Sequence, residues 1–303
     1  MTKKSFYCLF LALFFSLNAF AQYQVEVAKP SFFKPADTLN TKRKHALLIA
    51  ESALALGALV VLDKQWYNDK EKSSFHINHD ENSWGMMDKL GHGFASYKIT
   101  RLTAEAFNWT GVSKKEQLLY GAGFGLGTTT AKEVLDGFTK EWGWSWLDFG
   151  ANVVGSGLYV GQELLWNEQR IQPKFSYNNS KSRGIVTSNL GAGFTERLFK
   201  NYDGQTFWLS FNVNSFAKTD FIPNWLNFSV GYGVDGYIYN ANTAVVPVKS
   251  KSLYLSLDVD LTKIQTKSHF VKTVFSLVNS IKIPAPTLEI NSKKGTFGHF
   301  LYF

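Results

Sequence analysis

Two hydrophobic periodicities divide the chain near Pro173. Before it, apolar positions recur at helical spacing; after it they alternate residue by residue. Ala46 to Leu62 (ALLIAESALALGALVVL) is apolar over about seventeen residues, at the lower edge of what crosses a bilayer, with Glu51 inside it. A second helix is expected from Met86 to Phe107. A third starts after Ser113, where Ser113 and Glu116 have capping-box spacing, and runs to about Asp136 with Gly137 as its C-cap. A fourth is capped by Ser145 and carries Asp148 in its first turn, where the helix dipole favours a carboxylate. Beyond Pro173, Phe207, Leu209, Phe211 and Val213 alternate with Trp208, Ser210 and Asn212, and Leu226 to Ile238 and Leu253 to Leu261 follow the same rule. An amphipathic helix is expected over Ser268 to Ile281. The fold class is therefore α+β: an N-terminal glycine-rich four-helix bundle, then an antiparallel β-rich region of about five to seven strands, short of the eight a bacterial barrel needs. The expected divisions are a processing signal over 1–21, an extended leader over 22–44, a helical domain over 45–172 and the β-rich region over 173–303.

Charged residues punctuate the apolar helices. Asp88 and His92 are four apart, as are Lys132 and Asp136, and Asp148 and Asn152, so each pair shares one helix face. The candidate site is this polar cluster: Asp88, His92, Lys132, Glu133, Asp136, Asp148 and Asn152. The helices must pack closely for these residues to converge. The small-residue rows Gly121 and Gly125, Gly123 and Gly127, and Gly150, Gly157 and Gly161 supply that closeness, each at a cost of roughly 1 kcal/mol of helix propensity relative to alanine. A second group, His76, His79, Asp80 and Glu81, is explained either as a metal site or, more simply, as a solvated loop.

Three short motifs carry a family resemblance. DKxxH is Asp88, Lys89 and His92; KExxD is Lys132, Glu133 and Asp136; GxSWxD is Gly143, Ser145, Trp146 and Asp148. In this order they resemble the YfiM-like family of small bacterial envelope proteins and, more distantly, the VanZ-like membrane proteins, whose ending is matched by Asp148, Asn152 and Gly155. The likeness spans residues 84 to 166 and implies an envelope location without implying a reaction. One departure is plain: YfiM-like proteins are typically lipoproteins, and this chain lacks a cysteine at its expected processing site.

That processing site follows from Lys3 and Lys4, the apolar run Phe6 to Leu17, and Ala19-Phe20-Ala21, which together read as a secretory signal. The expected location is the cell envelope of a Gram-negative bacterium, periplasm or outer membrane. Cys8 is the only cysteine and lies within the signal, so a mature chain from Gln22 has no thiolate chemistry and no disulfide. Formal net charge is +8, near +6 once Lys3 and Lys4 are removed, which suits anionic headgroups or simply solvated loops. Export makes nucleic acid an implausible partner. A membrane lipid or another envelope component is the expected partner, and the sequence names no protein partner. In Leu226 to Asn240 the face Asn227, Ser229, Gly231, Gly233 and Asp235 is small and polar, as in outer-membrane strands with the other face to lipid. There is no H-E-x-x-H, P-loop or G-x-S-x-G, and no cofactor is implied. Two function classes remain: a structural scaffold or anchor in which the cluster is a self-satisfied network, and an enzyme or binder acting through it on a lipid or cell-wall component, by bound metal or by paired acid and base.

Overall fold

The computed structural model describes residues 32–67, 70–79, 83–178, 194–237 and 248–303. The signal segment, most of the leader, Asp80, Glu81 and the expected end of a strand at Ile238 lie outside these residues.

Four long helices come first: α1 (Thr41–Leu62), α2 (Met87–Asn108), α3 (Lys114–Gly137) and α4 (Trp146–Trp166). Asn40 caps α1, which starts four residues before the expected domain edge, its side chain accepting from the Arg43 amide at 3.0 Å. The Ser113 and Glu116 capping box starts α3, and the Asp148 amide donates to Ser145 Oγ at 3.1 Å to start α4. The expected Gly137 cap is corrected. Gly137 is the last helical residue and keeps a negative φ; it is small because the Phe75 ring occupies the space of a Cβ.

The C-terminal part is a six-stranded antiparallel meander, β1 (Ile171–Tyr177), β2 (Gln205–Asn212), β3 (Leu226–Asp235), β4 (Ser250–Val259), β5 (Ala285–Asn291) and β6 (Gly295–Tyr302), paired in sequence order. Short helices α5 (Phe194–Lys200) and α6 (Val213–Ala217) interrupt it, and the expected amphipathic helix is α7 (His269–Val278). The sheet curls strongly: the Tyr302 ring on β6 meets Trp208 of β2 edge-on and Tyr254 of β4 at a tilt, and its hydroxyl lies 3.1 Å from that of Thr206. The chain after α7 runs beside β1, with Phe175 N donating to Ser280 O at 3.0 Å, which covers that edge. The bundle rests on the apolar face of β1 and β2, where Phe94 of α2 meets Phe175 and Phe207.

Polarity is inverted throughout. Among the described residues, polar and charged side chains outnumber apolar ones by more than two to one in the fully buried set. In a water-soluble domain charged side chains are almost never fully buried and the interior is aliphatic. Here α2, the central helix, buries Lys89, His92, Lys98 and Arg101, and the sheet interior holds Lys174, Asn227, Ser229, Asp258 and Lys282. The exposed large apolar side chains include Ile49, Leu54, Leu56 and Val60 on α1, Leu119 and Val134 on α3, Val153, Val154, Leu164 and Leu165 on α4, and Leu209, Phe228, Leu253, Leu257, Leu288 and Ile290 on the strands.

Candidate functional site

Close backbone approach builds the site. A Cβ on Gly155 would overlap the Gly93 carbonyl, one on Gly125 would overlap Thr100 Oγ1, and one on Gly121 would lie 2.6 Å from the Thr100 carbonyl oxygen. These glycines seat α3 and α4 on α2. The expected role of the other glycines is corrected: Gly123, Gly127, Gly150, Gly157 and Gly161 have open space where a Cβ would stand, so they line the outer surface rather than the helix contacts.

The seating brings all seven candidate residues together. Lys89 Nζ lies 2.9 Å from Asp148 Oδ1 and 3.5 Å from Asp88 Oδ2. Nε2 of His92 is 3.7 Å from Asp88 Oδ1 and 3.3 Å from Glu133 Oε1, while its Nδ1 lies 3.2 Å from Asn152 Oδ1. Lys132 Nζ reaches His92 Nε2 at 3.1 Å, Glu133 Oε1 at 3.3 Å and Asp136 Oδ2 at 2.6 Å. Two tyrosines complete the rim. Tyr67 donates its hydroxyl to Asp136, and Tyr202, from the β-rich region, donates to Asp88 at 3.1 Å. Both were missed in the sequence, because nothing local ties a loop tyrosine to a helix more than 65 residues away.

Two polar atoms in this setting have no hydrogen-bond partner, Glu133 Oε2 and Asn152 Nδ2, although both residues are fully buried. Buried polar groups are satisfied in the great majority of proteins, so each exception calls for an explanation. The cluster is not sealed: the side chains of Asp88 and Lys132 are 23% and 31% exposed. Below it a row of hydroxyls continues along the α2 and α4 contact, with Ser156 Oγ 2.8 Å from Ser96 Oγ and 2.6 Å from Thr100 Oγ1.

A second polar network, also missed, ties the bundle to the sheet. Arg101 donates to Gln172 Oε1 at 2.8 Å, Gln172 donates to Asp260 Oδ2 at 2.6 Å, and Asn279 donates to Gln172 Oε1 at 2.7 Å. Lys174 Nζ pairs with Asp258 Oδ2 at 2.7 Å, both fully buried. Lys282 Nζ donates to the carbonyls of Leu257 and Ile283 at 2.6 and 2.7 Å, and burial pushes its ammonium down to about 8 against the opposing pull of Asp258. In the loop after α4, burial pushes the Glu168 carboxyl up, but hydrogen bonds from Lys263 and Ser215 outweigh it and hold it below the usual range. Glu51 is also partnered, accepting from Thr103 Oγ1 at 3.2 Å.

Residues 77–162 match the model of a family described as "Predicted periplasmic lipoprotein (DUF2279)". The protein is an exported component of the cell envelope. No curated protein and no solved structure matches the chain. The matched stretch holds every residue of the cluster except its tyrosine rim, and its description names a compartment but no reaction. The lipid anchor in that description has no counterpart at the expected processing site, since Cys8 is the sole cysteine.

Proposed function

We propose that this protein is a membrane-embedded scaffold or anchor of the envelope, held by its own apolar surface rather than by acylation. The inverted polarity carries this reading, because an interior of lysine, aspartate, serine and asparagine beneath an aliphatic exterior is stable only when the exterior faces an apolar medium. Lengths agree. Helix α1 has 22 residues and no buried side chain, so at about 1.5 Å per residue it covers roughly the 30 Å hydrocarbon thickness. Strands β3 and β4 have 10 residues each, within the 9–11 of a membrane strand. The finer likeness to YfiM-like envelope proteins belongs to this reading. The test is extraction of isolated envelopes with alkaline carbonate and high salt. Retention in the pellet until detergent is added supports embedding, and release into the supernatant contradicts it.

A second reading, an enzyme or binder working through the Asp88, His92 and Glu133 cluster, is favoured by one observation, the unpartnered Glu133 oxygen beside a partly open mouth.

A further inference from the structure

Where α4 gives way to β1, the chain builds a second polar site from none of the cluster's residues. A recess of about 470 Å³ lies between that connection, α6 with the loop that follows it, and the turn after β4. Arg170, Lys218 and Lys263 bring three positive charges to its walls, against two negative ones from Glu168 and Asp220. Glu168 is already engaged, by Arg170 Nε at 3.2 Å and by Lys263. Lys218 ends α6 in the left-handed region at φ 46°, exposed and without an ion-pair partner among the described residues.

Donor capacity along the walls is unspent. The Glu168 pair uses only Nε of Arg170, which leaves both terminal guanidinium nitrogens. Lys218 has its whole ammonium to offer, and Thr219 Oγ1 is buried with no hydrogen-bond partner. Guanidinium, ammonium and hydroxyl together suit a phosphate, whose oxygens accept from all three. Arg170 is also held in place: its guanidinium carbon lies 4.9 Å from the Trp166 ring centroid and 5.6 Å from that of Phe216, and those two rings meet edge-on at 5.8 Å. Less side-chain freedom is then lost when a ligand arrives.

The surroundings select a lipid over a free anion. Leu164 and Leu165 on the last turn of α4 are exposed, as are Phe216, Phe221 and Trp225. Tryptophan beside cations at the end of an aliphatic surface is the composition of a membrane–water boundary, where headgroup phosphates lie. We propose that this recess binds the phosphate of an anionic membrane lipid, with Arg170 and Lys218 as its charged ligands and Thr219 as a hydroxyl donor. The lipid source rests on the embedded reading of the chain; the phosphate chemistry does not.

The experiment titrates the mature chain in non-ionic detergent, by calorimetry, with dioctanoyl phosphatidic acid, with dioctanoylglycerol, which lacks the phosphate, and with inorganic phosphate. Phosphatidic acid should bind roughly tenfold more tightly than either of the others, and Arg170→Gln and Lys218→Gln should each weaken it by a similar factor. Asp220→Asn, which removes a repelling charge, should tighten it, and Lys251→Gln, an exposed lysine on β4 outside the recess, should leave it unchanged. Circular dichroism establishes folding. Should Arg170→Gln fail to fold, the opposite shifts expected of the exposed Lys218 and Asp220 still decide the matter. Dioctanoylglycerol bound as tightly as phosphatidic acid, affinities unchanged in Lys218→Gln and Asp220→Asn, or an equal loss in Lys251→Gln would each overturn the site. Inorganic phosphate bound as tightly as phosphatidic acid would overturn the lipid as its source. Carbonate extraction reads embedding without reference to phosphate, so a chain retained in the pellet that fails these titrations loses this site and keeps its anchor.

Discussion

The bundle and the sheet share an inverted polarity but resolve it differently. In the sheet the buried charges close on themselves: Lys174 meets Asp258 and Asn279, and Lys282 is held by two carbonyls. Hydroxyl and amide ladders such as Asn227 to Ser210 and Asn291 to Ser252, each at 2.8 Å, fill the remainder. On the bundle helices Lys98 Nζ, Glu133 Oε2 and Asn152 Nδ2 are buried without a hydrogen-bond partner. An interior that satisfies itself is scaffold, whereas one with unmatched polar groups and an opening on one side is where chemistry or binding resides.

The bundle also depends on close approach in a way the sheet does not, and the largest effects should appear there. Gly155→Leu and Gly125→Val drive a side chain into Gly93 and Thr100 and should abolish folded protein, read as loss of the gel-filtration peak. Gly123→Ala and Gly157→Ala meet nothing within 4 Å and should be neutral or stabilising by up to about 1 kcal/mol. Equal damage from both sets would mean that the outer glycines also seat a partner.

Next in size is the sheet's closed pair. Lys174→Met removes the ammonium paired with fully buried Asp258, leaving it the Ser210 hydroxyl and the Ile283 amide, and should cost about 3 kcal/mol in denaturant unfolding. A loss under about 1 kcal/mol would show that water reaches this interior.

Lys282 gives a smaller, pH-dependent effect. Its folded pKa of about 8 lies below the ordinary lysine value of 10.5, so between these values the unfolded chain binds more protons. Stability should therefore rise with pH through that window, by at most about 1.4 kcal/mol per pH unit. Thermal midpoints from pH 7.5 to 9.5 check this, and Lys282→Met should flatten the slope.

Glu133→Gln should have the smallest effect. It keeps the side chain's shape and its acceptor toward His92, so the thermal midpoint should stay within the equivalent of about 1 kcal/mol. A loss comparable to that of Lys174→Met would make the cluster as self-satisfied as the sheet.

Local grammar was legible in the sequence. The capping box at Ser113, the cap at Ser145, the i, i+4 pairs and the alternation of β2, β3 and β4 all reflect interactions within a few residues. Val213 was the limit of that alternation, since it opens α6 after Asn212 turns inward and caps that turn. What the sequence hid is set by tertiary contact. Alternation shows that Leu209 and Ser210 face opposite ways, but not which of them faces inward. Glycine spacing does not tell Gly125, pressed on Thr100, from Gly123 with open space beside it. Gln172, Lys174 and Lys282 carry no local signal of burial, because it is the curled sheet that encloses them.

The central claim is that the aliphatic exterior faces lipid. With Cys8 in the expected signal, a mature chain lacks cysteine, so single cysteines at Val154 on α4, Leu257 on β4 and Lys218 after α6 can each carry a spin label. In reconstituted bilayers, labels at Val154 and Leu257 should relax strongly with oxygen and weakly with a water-soluble nickel chelate, with the reverse at Lys218. Strong nickel relaxation at Val154 and Leu257 would place those faces in water and contradict the account.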